Sequence, residues 1–204
     1  MSSKGTLIVI SGPSGSGKGT VVKSLMEMMP DLGFSVSATT RAPREGEVDG
    51  RDYFFISRDD FEEMIEDGDI LEYTTYCGNY YGTPKKEAER ITGEGRDLIL
   101  EIEVDGASQV KKKFPGAVTV MLIPPSLSVL EERLRGRGTE SDEVIKKRLE
   151  RACEEIKLAY DYDYVVVNEN GGVEACARKI KRIINAERSR SARMTETVDN
   201  FINR

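Results

Sequence analysis

The run Thr6-Leu7-Ile8-Val9-Ile10 is unbroken, apolar and rich in β-branched residues, and it stops at a glycine-rich turn. That is the pattern of a strand buried on both faces of a parallel sheet. A helix is predicted from Lys18 to about Met29, ended by Pro30 and Gly33, with a second strand over Phe34-Ser35-Val36-Ser37. Further apolar runs, Leu98-Ile99-Leu100, Val118 to Ile123 and Tyr164 to Val167, alternate with helical patterns near 105–113, 126–135, 141–160 and 172–187. Strands alternating with helices predict an α/β fold, a parallel sheet flanked by helices and joined by right-handed crossovers.

Two segments break this rhythm. Residues 38–91 are polar, aromatic and glycine-rich, with a Cys77-Gly78-Asn79 turn between short strand-like runs and helices expected after Ser57 and at Pro84. They read as an inserted lobe. Residues 126–150 are charged and helical around Arg-Gly-Arg-Gly, where glycines permit a bend between two arginine-bearing helices, as in a lid. The core is then 1–37, 92–125 and 151–187. The tail 188–204 is polar with weak helical periodicity and receives no function.

Composition narrows the chemistry. Across 204 residues there is no histidine, which removes Ser-His and Cys-His nucleophiles and histidine-ligated metals. Phosphoryl transfer survives that exclusion, because it depends on positioning and cationic charge. Cys77, Cys153 and Cys176 are widely spaced and form no CxxC, so they read as ordinary reduced residues. No apolar stretch is long enough for a bilayer or a secretory signal, and a cytoplasmic location is expected. The net charge of −6 argues against non-specific binding to nucleic acid or anionic membrane, and no protein partner is evident.

The segment Gly12-Pro13-Ser14-Gly15-Ser16-Gly17-Lys18 matches GxxxxGK between a predicted strand and a predicted helix, the context such a phosphate-binding loop requires. Glycines let backbone N–H groups face phosphate oxygens, the helix N-terminus adds its positive end, and Lys18 reaches the outer phosphates. Gly19 stands in the slot of the hydroxyl that commonly binds Mg²⁺, and Thr20 follows.

From Phe34 the chain reads FSVSATTRAPREGEVDGRDYFF, and later ILEYTTYCGNYYGTP and LILEIEVDGA. Together with the Gly-Lys-Gly-Thr ending of the loop, these resemble the guanylate kinase family from about Gly5 to Asn185. The resemblance implies a P-loop core, a GMP-binding lobe over 38–91 and an arginine-bearing lid over 126–150. It further implies that Arg41 and Arg44 hold the GMP phosphate, aided by Tyr53 and Tyr81, and that Arg44 bears on catalysis. Two guanidinium forks three residues apart suit a dianionic phosphate, although such residues are also common on surfaces. Guanine offers N1–H and an exocyclic amine as donors and O6 as acceptor, and Glu72 and Ser37 match the family's partners for them. Thr83 falls near the base. Glu101 and Glu103 align with acidic positions usually held by aspartate, with base, ribose or a metal-bound water as their contact.

Arg133 and Arg137 share a helix face and Arg148 lies on the next helix, a pattern that also suits a solvated surface. By resemblance all three are lid arginines that neutralise the moving phosphoryl group, with Arg137 and Arg148 beside Lys18 in the reaction. Asn168 matches a position near the adenine of ATP. The implied reaction is ATP + GMP ⇌ ADP + GDP with Mg²⁺. Two alternatives remain at this stage. One is a kinase for another monophosphate, since adenylate kinases share the Gly-Lys-Gly-Thr ending. The other is a catalytically silent module of this fold that binds a phosphorylated protein.

Overall fold

The apolar runs of the sequence become strands in the computed structural model, which describes residues 4–136 and 141–203. In chain order the elements are β1 (Leu7–Ser11), α1 (Lys18–Met28), β2 (Gly33–Phe34), β3 (Ala38–Thr39), β4 (Phe54–Phe55), α2 (Arg58–Glu66), β5 (Ile70–Tyr76), β6 (Asn79–Pro84) and α3 (Lys85–Gly93). They continue with β7 (Leu98–Glu101), α4 (Val104–Lys113), β8 (Val118–Ile123), α5 (Leu127–Arg135), α6 (Asp142–Lys157), β9 (Tyr164–Val167), α7 (Val173–Arg188) and α8 (Thr195–Ile202). Contacts gather these into two units. The first comprises Leu32–Leu100 and Asp105–Ala117 with the N-terminal stretch to Leu7; the second comprises Ile8–Asp31, Glu101–Val104 and the described residues from Val118 onward.

In the second unit β1 pairs β8 in parallel, Ile8 opposite Val118 through Ser11 opposite Met121, and β8 pairs β9 in parallel, Val120 opposite Tyr164 through Ile123 opposite Val167. Ile8, Val9, Ile10, Val120, Met121 and Leu122 are fully buried, which is why these strands carry no polar alternation. Helix α1 packs on α7, burying Val21, Val22 and Leu25 from one and Cys176, Ala177, Ile180 and Ile184 from the other, each set at helical spacing. Leu130 and Leu134 of α5 form a separate cluster with Ile145 and Ala152 of α6.

In the first unit β2 and β7 pair in parallel, and a four-stranded sheet runs in the order β4-β3-β6-β5 over a cluster of Ala38, Phe61 and Ile70. The expected turn is a two-residue hairpin: Tyr76 pairs Asn79, and Cys77 and Gly78 both adopt positive φ, 50° and 78°. Ser57 caps α2 by accepting from the Asp60 N–H.

Three elements differ from the sequence expectation. Of the strand expected over 34–37 only Phe34 is in one: Gly33–Phe34 joins β7, residues 35–37 lie in no strand, and Ala38–Thr39 belongs to the other sheet. The helix expected over 141–160 ends at Lys157, followed by a 3₁₀ turn over Leu158–Asp161. The tail contains α8, whose Val198, Phe201 and Ile202 are exposed. Among the described residues no helix is long and apolar enough to cross a membrane.

Candidate functional site

The loop between β1 and α1 has a shape that only glycine allows at two points. Gly12 has φ 151°, and a Cβ there would lie 2.1 Å from the Leu122 carbonyl oxygen of β8. Gly17, with φ 93°, is the N-cap of α1, and a Cβ on it would lie 2.5 Å from Asn168 Nδ2. No side chain caps this helix and its first turn carries no acid, so its N–H groups are left for an anionic ligand. A cavity of about 360 Å³ lies here, lined by Pro13, Ser14, Gly15, Ser16, Gly17, Lys18, Gly19, Thr20, Glu101 and Glu103. Lys18 Nζ donates to the Gly12 carbonyl at 2.5 Å and stands 3.6 Å from Glu103 Oε1. Its side chain is only 10% exposed, so the ammonium is held at the cavity by short-range contacts. Burial raises the Glu101 carboxyl above its ordinary pKa; Lys18 opposes that rise and Glu103 adds to it.

This packing makes Gly12→Ala a test of the loop. Its Cβ would meet backbone rather than a flexible side chain, so a loss of about 1–3 kcal/mol is expected, as for an overpacked core site. Urea denaturation measures it, and wild-type stability would show that the loop is not seated on β8.

Other side chains hold the loop from outside. Asn168 Nδ2 donates to the Ser16 carbonyl at 2.8 Å, and Arg133 donates to the same carbonyl at 3.3 Å, to the Asn168 carbonyl at 2.8 Å and to Asn170 Oδ1 at 3.0 Å. Arg148 donates to Ser14 Oγ at 2.9 Å. Residues from α5, α6 and the end of β9 thus converge on one loop. Arg137 lies outside the described residues.

In the first unit Arg41, Tyr53 and Tyr81 are gathered. The Arg41 guanidinium lies 5.6 Å from the Tyr53 ring centre, and the two tyrosine rings are 6.0 Å apart. Glu47 joins them: Arg41 donates to both of its carboxylate oxygens, at 2.9 and 3.0 Å, and the Arg44 backbone N–H donates to Oε2 at 2.7 Å. The Arg41 hydrogen bonds, then that of the Arg44 backbone, hold the Glu47 carboxyl below its ordinary pKa. Arg44 itself is exposed.

Glu72 sits on β5, buried to 6% exposure, and accepts from Thr83 Oγ1 at 2.7 Å across the β5–β6 pair. Burial raises its carboxyl pKa, with the Thr83 hydrogen bond and Lys113 acting in the opposite direction. Ser37 stands just before β3, half-buried, with its carbonyl accepting from Phe54 N at 2.9 Å.

Sequence reading passed over Glu47, Asn170, Gln109 and Lys113. Only Glu47 had a local signal, an acid amid the arginines of Arg-Ala-Pro-Arg-Glu-Gly-Glu. Asn170, which accepts from Arg133, and the α4 side chains meet their partners across the fold.

The sequence model of the family described as guanylate kinase matches residues 4–187. A guanylate kinase of Streptococcus thermophilus (strain CNRZ 1066) is 54% identical over 203 residues, 99% of this chain and 96% of that protein. One of Lactococcus lactis subsp. lactis (strain IL1403) is 55% identical over 196 residues, covering 96% and 95%. The crystal structure of guanylate kinase from Anaplasma phagocytophilum is similar with a TM-score of 0.70 at 34% identity, covering 94% of this chain and 90% of that one.

Proposed function

Because the chain belongs to the guanylate kinase family, we propose that it transfers the γ-phosphoryl group of ATP to GMP, and to dGMP as well, giving ADP and the nucleoside diphosphate. The acceptor assignment is carried by one observation, the buried Glu72 carboxylate paired with Thr83. An ionised carboxylate offers two acceptors to guanine N1–H and the exocyclic amine, and Ser37 is the hydroxyl assigned to O6. Adenine carries an acceptor at N1 and would leave the buried carboxylate badly paired.

Under this reading the loop from Gly12 to Thr20 holds the ATP phosphates, and Lys18, Arg133, Arg137 and Arg148 supply cations to the transferred group. Arg41, Arg44, Tyr53 and Tyr81 hold the GMP phosphate, and Asn168 lies at the adenine. Residues 38–91 form the GMP-binding lobe, 126–150 the lid and the remaining segments to 187 the core. The attacking phosphate oxygen is ionised at neutral pH, since the second phosphate pKa is about 6. No general base is required, which fits a chain without histidine.

Among the described residues no cluster of three acidic or cysteine side chains gathers as a metal cage, and the metal-binding hydroxyl slot is Gly19. Two carboxylates, Glu101 and Glu103, do line the phosphate cavity. This set fits Mg²⁺, which nucleotide phosphates and water would hold, with Glu101 and Glu103 as acceptors for its waters. When bound, the ion neutralises phosphate charge. The reading also carries a cytoplasmic setting and no protein partner, and the net charge of −6 supports its further expectation of no binding to nucleic acid or anionic membrane.

A coupled assay with ATP and each of GMP, dGMP, AMP, CMP and UMP tests the proposal. Turnover confined to GMP and dGMP is expected. Comparable turnover of AMP would overturn the acceptor assignment, and no turnover of any monophosphate would favour a silent binding module.

A further inference from the structure

The four-stranded sheet ends at β5, and an edge strand leaves backbone N–H and C=O groups without a strand partner. Helix α4 supplies partners. The Gln109 carboxamide accepts from Tyr73 N at 3.3 Å and donates to Tyr73 O at 3.2 Å, so one side chain satisfies both backbone groups of one residue. Four residues on, along the same helix face, Lys113 Nζ donates to the Ile70 carbonyl at 2.6 Å. These fixed points bracket Glu72.

Between them the ladder is irregular. Ile70 pairs Pro84 and Tyr73 pairs Gly82, so β5 has one residue more than β6 over this stretch, and Leu71 and Glu72 share the bulge opposite Thr83. A bulge re-aims side chains and weakens local pairing, and this one turns a carboxylate inward on an edge strand. Inward-turned charge needs something to hold the backbone that carries it. We propose that Gln109 and Lys113 are positioning residues for base selection: they fix the bulged segment of β5 that carries Glu72 and so set how well the site holds guanine.

Other cations of α2, α3 and α4 are engaged elsewhere. Lys86 on α3 pairs Asp69 at 3.4 Å, Arg58 pairs Glu62 within α2 at 2.9 Å, and Lys111 turns to the Ala117 carbonyl at 2.8 Å. Thr83 and Gln109 are neutral. Lys113 acts on Glu72, countering the effect of burial and favouring the carboxylate that guanine needs. A helix that merely covered a sheet edge would contribute stability without touching base choice.

The inference rests on the reading of Glu72 as the base-selecting group, and the experiment separates the two. Steady-state kinetics with GMP and AMP are measured across pH for Lys113→Met, Lys113→Arg, Gln109→Leu, Glu72→Gln and the Lys113→Met/Glu72→Gln double variant. Lys113→Met should raise the GMP KM about tenfold, the scale of one hydrogen bond to a charged group. The ATP KM and kcat should stay within about twofold, as for lost positioning of one substrate. The acid limb of kcat/KM for GMP should move to higher pH, and Lys113→Arg should restore most of the loss. Gln109→Leu should raise the GMP KM without moving that limb, and it stands in if Lys113→Met does not fold. On the Glu72→Gln background Lys113→Met should add little, because the two act on one interaction. Equal losses for GMP and AMP, or additive effects in the double variant, would overturn the inference. If Glu72→Gln abolishes base choice while the α4 variants leave it intact, only this inference fails. If Glu72→Gln leaves base choice unchanged, the reading of Glu72 fails and the inference falls with it.

Discussion

Replacing Lys18 with alanine is expected to lower turnover by about 10²-fold or more while the protein stays folded, the scale of losing one preorganised group that stabilises transition-state charge. The side chain is only 10% exposed, and its ammonium is fixed by the Gly12 carbonyl at 2.5 Å and by Glu103 at 3.6 Å. Both contacts keep it on the cavity that the loop lines. The alanine variant also leaves Glu101 and Glu103 facing the cavity without their cation, and Glu101, already raised by burial, should rise further. Activity at low pH should suffer less than at neutral pH, since protonating Glu101 removes its repulsion toward phosphate. Rapid-quench measurement of the transfer step, with circular dichroism as the check on folding, tests this. A folded variant with near-normal turnover would refute the role given to the loop.

The second large effect concerns the base. Wild-type enzyme should prefer GMP over AMP by ~10⁴-fold in kcat/KM, the range for sites that hydrogen-bond a substrate and reject an analogue lacking the match. Glu72→Gln keeps the volume but replaces an acceptor with an NH₂ donor that opposes guanine's own donors. GMP should then lose about 1–3 kcal/mol of transition-state stabilisation, the cost of a buried polar group left badly paired, while AMP loses less. Equal losses for both substrates would show that Glu72 does not read the base. The pH dependence follows from the direction of the shift. Burial raises the Glu72 carboxyl, so the stability contributed by its protonated form is present below the ordinary carboxylate pKa and is lost as pH rises through the higher folded value. The glutamine variant, with no charge to bury, should be at least as stable as wild type at neutral pH. Guanine requires the ionised form, so kcat/KM for GMP should fall as pH drops through that value, and the variant should lack this component of the acid limb.

The sequence by itself determined what depends on neighbours along the chain. A strand running into Gly12, a helix starting at Lys18 and a turn at Cys77-Gly78 each follow from local rules: apolar β-branched runs, glycines able to take positive φ, and an N-terminus with free N–H groups. The helix expected from Lys18 to about Met29 spans Lys18–Met28 for that reason. The resemblance carried by residues 34–55 and 70–84 brought the family and the candidate residues into view before any fold was drawn. Tertiary structure decided which partner each segment found. The run from Phe34 to Ser37 could not reveal that the chain leaves β7 at Phe34 and pairs with β6 from Ala38, because strand propensity does not name a partner. Nor could spacing place Glu101 and Glu103 on the lining of the phosphate cavity, with Glu103 beside Lys18. Gln109 and Lys113 lie 36 and 43 residues from the backbone groups they hold, and Asn168 lies 152 from the loop carbonyl it supports. Hydrogen bonds of that separation leave no periodic trace in a sequence; they exist only once apolar burial has closed the chain and brought the partners within 3 Å or so of each other.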